Sequence, residues 1–208
     1  LHFPAGAVKV TSGEGGALAG ITVGDHRFQR EDFMRSVVVA ILAGAVCLGA
    51  ASARAQAAGE TVTADIVGNK GASIGSVQLR GGSAGVVLRV TLKAGSLTPG
   101  WHGMHLHASG DCGDVAAFQN AKGHVNHDAR KHGLLNAEGP DNGDLPNIYV
   151  QADGSASAEA YTSQVKLTGT NGLRDADGSA LVIHAAEDDH TAQPIGNAGA
   201  RVGCAVIK

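Results

Sequence analysis

The chain of 208 residues is poor in cysteine, with only three, and has no excess of positive charge: 16 Lys and Arg stand against 19 Asp and Glu, a formal net of −3. That balance excludes nucleic acid as a partner, because binding it takes a basic face. No apolar run reaches the length of about 20 residues that a membrane-spanning helix needs. Helical periodicity is scarce and there is no convincing internal repeat, which argues against a helix bundle or a solenoid. What remains is a set of short segments rich in Val, Ile, Leu and Thr, separated by Gly, Asn, Asp and Pro. That is the pattern of many short strands.

The apolar run from Ser36 to Ala51 follows Met34-Arg35 and ends in Ser52-Ala53-Arg54-Ala55-Gln56-Ala57. A positive start, a short apolar core and a small-residue end predict a secretory signal peptide over 34–55, cleaved after Ala55 or Ala57. A membrane anchor is the competing reading. Val46 ahead of Cys47 fits a lipoprotein cleavage site poorly. Residues 1–33, Gly-rich and without an apolar period, are read as a misassigned start or a disordered upstream extension. The expected product is one domain over 56–208, periplasmic or otherwise exported, with no stable membrane association after cleavage. Two cysteines stay with that domain, Cys112 and Cys204, and an even pair in an exported protein reads as a disulfide. Two buried free thiols are the alternative if the protein is not exported.

Eight strands are expected, over 61–67, 73–79, 86–93, 100–107, 148–152, 156–161, 180–185 and 202–207. The expected fold is all-β, an eight-stranded antiparallel sandwich or barrel. Two stretches are too long for hairpins, Ala108 to Leu145 and Glu187 to Ala200. Loops of that length in a small domain are functional or disordered.

Eight histidines fall within 56–208, and six of them lie between His102 and His132. The run Trp101-His102-Gly103-Met104-His105-Leu106-His107 places His105 and His107 at alternate positions of a strand, on one face and about 7 Å apart. Imidazole suits copper and zinc. Downstream stand His124, His132, Asp144 and His184. Any one of these histidines reads as an ordinary surface or core residue; their joint occurrence around a long loop reads as a metal site.

In order, the pieces His102-Gly103-Met104-His105-Leu106-His107, Gly110-Asp111-Cys112, Gly123-His124-Val125-Asn126, Lys131-His132-Gly133, Gly143-Asp144-Leu145-Pro146-Asn147, Leu181-Val182-Ile183-His184, Asp188-Asp189 and Gly196 to Cys204 resemble the copper,zinc superoxide dismutases, the exported bacterial type. The resemblance implies a Greek-key barrel with two functional loops, a sandwich architecture established for that family. It implies dismutation of superoxide at a redox-cycling copper held by His105, His107, His124 and His184. It makes His124 the imidazolate bridging copper to zinc, and the group that takes up a proton when copper is reduced and returns it afterwards. His132 and Asp144 would hold zinc, and Asp188 would link a copper histidine to a zinc histidine. His102 would pin backbone near the site without ligating metal. Arg201, beside the copper, would guide the anion, electrostatic steering being established for these enzymes.

The sequence departs from the family pattern nine residues after His132, where relatives carry a zinc histidine and this chain has Asp141. A carboxylate ligates zinc at similar distance, so Asp141 is the expected fourth zinc ligand. The alternatives are water or His127 in its place, or a weak or absent zinc. His127 and His190 are read as solvated loop residues, and Ile195 stands where many relatives have threonine. The rival functions are a silent dismutase-like domain that binds or stores copper and zinc, and, more remotely, a zinc hydrolase with an open metal position. The resemblance leaves the state open between monomer and homodimer.

Overall fold

The computed structural model describes residues 59–208; the expected signal peptide, its cleavage sites and the upstream extension lie outside the described residues. Nine strands follow in order: β1 (Thr61–Gly68), β2 (Ser73–Gly82), β3 (Gly85–Leu92), β4 (Gly100–His102), β5 (Met104–His107), β6 (Ile148–Val150), β7 (Ala156–Thr162), β8 (Ser179–His184) and β9 (Arg201–Ile207). Among the described residues there is one three-residue 3₁₀ turn, Gln119–Ala121, and no α-helix.

The strand positions match the expectation, but there are nine strands rather than eight because the segment 100–107 is broken at Gly103. β4 pairs with β6, whereas β5 pairs with β8. Between them Gly103 leaves both ladders: its N–H donates to Ala186 O, and its carbonyl accepts from His184 N. One segment thereby changes partner part-way along.

Seven strands form an antiparallel sheet in the order β5-β8-β9-β1-β2-β3-β7, and β4-β6 form a separate pair. β4 runs on into β5 at one edge of the large sheet, and β6 turns back into β7 at the other, with Gln151 N bonded to Ser155 O in the turn. The curled sheet is thus bridged across its two edges. Each of the two crossings passes over two strands, β7 and β6 between β3 and β4, and β6 and the β4–β5 segment between β7 and β8, which makes the order a Greek key.

Inward alternation builds the core on β2, β3 and β7. Val77 faces Val90 and Leu79 faces Leu88 across the ladder, all of them buried. Opposite Leu88 and Leu92 stand Ala160 and Ala156, so large and small side chains alternate across the pair. The outward Arg89 and Glu159 pair at 2.6 Å on the exposed face.

β5 and β8 differ: every residue of both is buried. Leu106, Leu181 and Ile183 join the main core, while Ala180, Val182 and Cys204 pack on the opposite face with Phe118 and Ala121 from the long loop. A strand covered on both faces shows no polar alternation. His105 and His107 lie on that second face, in register with Val182 and Ala180. The long loop covers them and also pairs with the free edge of β5. Leu106 N donates to Gly143 O, and Val125 N donates to Leu106 O. The resulting bridges set His107 beside His124 and His105 beside Asp144. A Cβ at Gly143 would lie 2.3 Å from Leu106 O, so only glycine allows this approach.

The disulfide Cys112–Cys204 is present and ties the loop to β9.

Candidate metal centre

The strand face and the covering loops bring His105, His107, His124 and His184 together. Ring centroids lie 4.2 Å apart for His105 and His124, 4.8 Å for His105 and His184, and 5.1 Å for His107 and His124. One nitrogen of each ring is committed. His107 Nδ1 donates to Lys122 O at 2.8 Å and His184 Nδ1 to Gly199 O at 2.9 Å. His105 Nε2 donates to Asp188 Oδ2 and His124 Nδ1 to Asp141 Oδ2, each at 2.8 Å.

The other nitrogens, His105 Nδ1 and the Nε2 atoms of His107, His124 and His184, are buried without a hydrogen-bond partner. A buried polar atom left unpaired costs about 1–3 kcal/mol, and four in one place call for a common ligand. Since each opposite nitrogen carries the proton, the unpaired ones are lone pairs, the form in which imidazole binds metal. Burial lowers the histidines, His105 to about 3, His107 to about 2 and His184 to about 4, with His124 adding to the effect at each. All three are therefore neutral at ordinary pH. Three of the four, His105, His107 and His184, have donor atoms within 4.8 Å of one another.

His124 also belongs to a second group with His132, Asp141 and Asp144, again within 4.8 Å. His132 Nδ1 donates to Asp144 Oδ1 at 2.5 Å and Nε2 donates to Asp188 Oδ1 at 3.1 Å. Burial alone would lower His132, but these bonds and the two carboxylate charges outweigh it and raise it to about 10. Asp144 is held below its usual range: burial opposes this, and the His132 bond with Gly133 N–H overcomes it. Asp144 Oδ2 accepts from Gly133 N and Asp141 N, and Asp141 Oδ1 accepts from Gly143 N. The second group offers two imidazoles and two carboxylates, a donor set that suits zinc.

Asp188 joins the two groups, with Oδ2 on His105 and Oδ1 on His132. Burial would raise its pKa, but the two imidazole bonds and His190 N–H push it well below the usual carboxylate range. Gly196, at φ +56°, has its missing Cβ only 1.6 Å from Asp188 Oδ1; any side chain there would displace this carboxylate.

The model of the family described as copper/zinc superoxide dismutase (SODC) matches residues 73–207. The chain belongs to that family. It is 49% identical over 152 residues to the superoxide dismutase [Cu-Zn] of Caulobacter vibrioides, covering 71% of this chain and 86% of that one. Among solved structures it is similar to a superoxide dismutase-like protein from Bacillus subtilis (31% identity, TM-score 0.66, 70% of this chain and 97% of that one). It is also similar to the Cu/Zn superoxide dismutase from Brucella abortus (26% identity, TM-score 0.60, 72% and 100%). Membership implies copper and zinc as cofactors, and the paired donor groups fit both.

The remaining site residues of this dismutase-family chain fall as follows. Both ring nitrogens of His102 face carbonyl oxygens, His184 O at 2.7 Å and Thr98 O at 2.8 Å, and the residue belongs to neither metal-capable group. Arg201 forms no ion pair among the described residues. Its Nη1 donates to Phe118 O and its Nη2 to Lys122 O, both at 2.6 Å. Lys122 O is the same carbonyl that orients His107. His127 is exposed and outside both groups. His190 is not a solvated loop residue: its side chain is only 18% exposed and approaches Asp188. Its sequence context, two residues beyond Asp188, is the only signal that could have placed it there.

Proposed function

We propose that the protein dismutates superoxide, with copper held by His105, His107, His124 and His184 and zinc by His124, His132, Asp141 and Asp144. The observation that carries this reading is the set of four buried, unpaired imidazole nitrogens gathered between a strand face and the loop that covers it. Two superoxide anions and two protons yield dioxygen and hydrogen peroxide. Bound copper supplies the one-electron couple, and bound zinc a fixed positive charge. The chain's own residues supply the rest. Lys122 O and Gly199 O hold His107 and His184 in the tautomer that leaves Nε2 bare. His124 belongs to the second donor group, and its ring lies 4.2 Å from that of His105 and 5.1 Å from that of His107 with Nε2 unpaired, so Nε2 is the atom placed to hold a proton and pass it on. Arg201 keeps donors free after bonding two carbonyls, and its charge draws the anion in. We further assign 34–55 as an export signal, 56–208 as the exported domain, and the periplasm or an equivalent compartment as its location.

The guiding role has a direct test. Arg201→Ala is expected to slow dismutation about tenfold or more while copper stays bound, and to flatten the salt dependence of the rate. An unchanged rate and salt profile would remove Arg201 from the mechanism. On the zinc side, Asp141→Ala should weaken zinc about 10-fold or more, judged by chelator competition; full zinc affinity in that variant would exclude Asp141 as a ligand.

The two sites should also differ in pH dependence. His132, raised to about 10 in the metal-free chain, must give up a proton before it can bind zinc. Zinc affinity should therefore rise about tenfold per pH unit from neutrality toward 10. His105, His107 and His184 are already neutral above about pH 4, so copper uptake by zinc-free protein needs no proton from them. Chelator titrations at pH 6, 7 and 8 check this, and a zinc affinity flat across that range would contradict it.

A further inference from the structure

His190 has φ +59°, in the left-handed region that few side chains tolerate and where histidine is enriched. Its ring lies against the linking carboxylate, with Nδ1 buried, without a hydrogen-bond partner and 3.5 Å from Asp188 Oδ2. That distance is longer than a formed hydrogen bond, yet close enough for an N–H dipole to act on a charge.

The position of the ring proton follows from Asn147. Asn147 Oδ1 accepts from Asp188 N at 3.0 Å, which makes Nδ2 the donor end. Nδ2 donates to Asp188 O at 2.9 Å and faces His190 Nε2 at 3.2 Å. A ring nitrogen facing a donor is bare, so neutral His190 carries its proton on Nδ1, the nitrogen turned toward Asp188. The backbone N–H of His190 donates to the other oxygen, Asp188 Oδ1, at 2.7 Å. One residue thus addresses both oxygens of the carboxylate, Oδ2 with its ring and Oδ1 with its backbone.

We propose that His190 is a positioning residue for the bimetal centre: it fixes the rotation of Asp188 so that Oδ2 meets His105 and Oδ1 meets His132. This rests on the reading of His105 as a copper ligand and His132 as a zinc ligand. The arrangement makes the contribution lopsided. Removing the ring takes a contact from Oδ2 alone, the oxygen that orients His105, while the backbone N–H keeps Oδ1 in place beside His132. The copper side should respond and the zinc side hardly at all. A residue that served only to pack the loop would disturb both alike, and its backbone tie, Leu135 N to His190 O, survives any side-chain change.

The test compares wild type, His190→Leu and His190→Asn, all loaded with both metals. Leucine removes the ring donor. Asparagine tolerates the left-handed backbone and offers an amide N–H near the place of Nδ1. Copper release to EDTA is expected to speed up about tenfold in His190→Leu, with a changed Cu(II) hyperfine splitting in its electron paramagnetic resonance spectrum. Zinc release to a colorimetric chelator should stay within about twofold, and His190→Asn should bring copper release back to within about twofold of wild type. The inference is overturned if copper release and spectrum in His190→Leu match wild type, if copper and zinc release change by the same factor, or if asparagine fails to restore copper. A wild-type protein that takes up no copper would overturn the copper reading itself, a result distinct from all three.

Discussion

Replacing Asp188 by alanine is expected to weaken both metals at once, by about 10–100-fold each, although the residue touches neither donor group's metal-facing atoms. Its two oxygens accept from His105 Nε2 at 2.8 Å and His132 Nε2 at 3.1 Å. Without them each imidazole loses the acceptor that fixes its ring plane, and a buried N–H is left unpaired at a cost of about 1–3 kcal/mol. The backbone around 188 is held separately, through both ends of the Asn147 amide, so the loop should keep its course. Asp188→Asn makes the informative companion. A side-chain amide has one acceptor oxygen and one NH2 donor group, so it satisfies one histidine and opposes the other. Asparagine should therefore spare one metal more than the other, where alanine spares neither. Parallel chelator titrations of copper and zinc check both variants. Alanine affecting a single metal would show that Asp188 does not couple the sites.

Breaking the disulfide should have the largest effect on stability. Cys112 and Cys204 are separated by 92 residues, and closing a loop of that size removes about 4–5 kcal/mol of unfolded-state entropy in the chain-entropy model. That is a large share of the roughly 5–15 kcal/mol typical of a domain. Cys112→Ser should lower the thermal midpoint by about 10 °C or more, measured on metal-free protein so that metal binding does not mask the loss. The bond also acts on the site. It anchors the loop segment that supplies Phe118 O and Lys122 O, the two acceptors of the Arg201 guanidinium. Lys122 O in turn orients His107. Loss of the bond should thus cost activity at temperatures where the variant is still folded. A midpoint within about 3 °C of wild type would contradict the stabilising role.

Much of the fold is legible in the sequence because the strands on the open side of the barrel bury one face. Val77, Leu79, Leu88 and Val90 alternate with outward residues such as Gln78 and Arg89, and period two is a direct record of that burial. β5 and β8 cannot be read in the same way, since the loops cover their second face and erase the alternation. The break at Gly103 is invisible because it arises from a change of hydrogen-bond partner, not from a change of residue type. In the site, the spacing of His105 and His107 follows from strand geometry alone, whereas their convergence with His124, His184, His132 and Asp144 comes only from the family resemblance. Asp141 departs from that resemblance, yet it faces His124 Nδ1 at 2.8 Å, where a fourth ligand is wanted. His190 reads as solvated in the sequence because the side chain its ring faces, Asn147, lies more than forty residues away. No local pattern carries a contact of that range.

The most direct measurement is of copper and zinc per chain in the purified protein, made on the same sample as a superoxide dismutation assay. The account predicts near one copper and one zinc per chain, rapid dismutation, and loss of that activity with copper removal and its return on copper addition. Near one copper per chain with no dismutation would contradict it, and would leave a metal-binding domain without turnover.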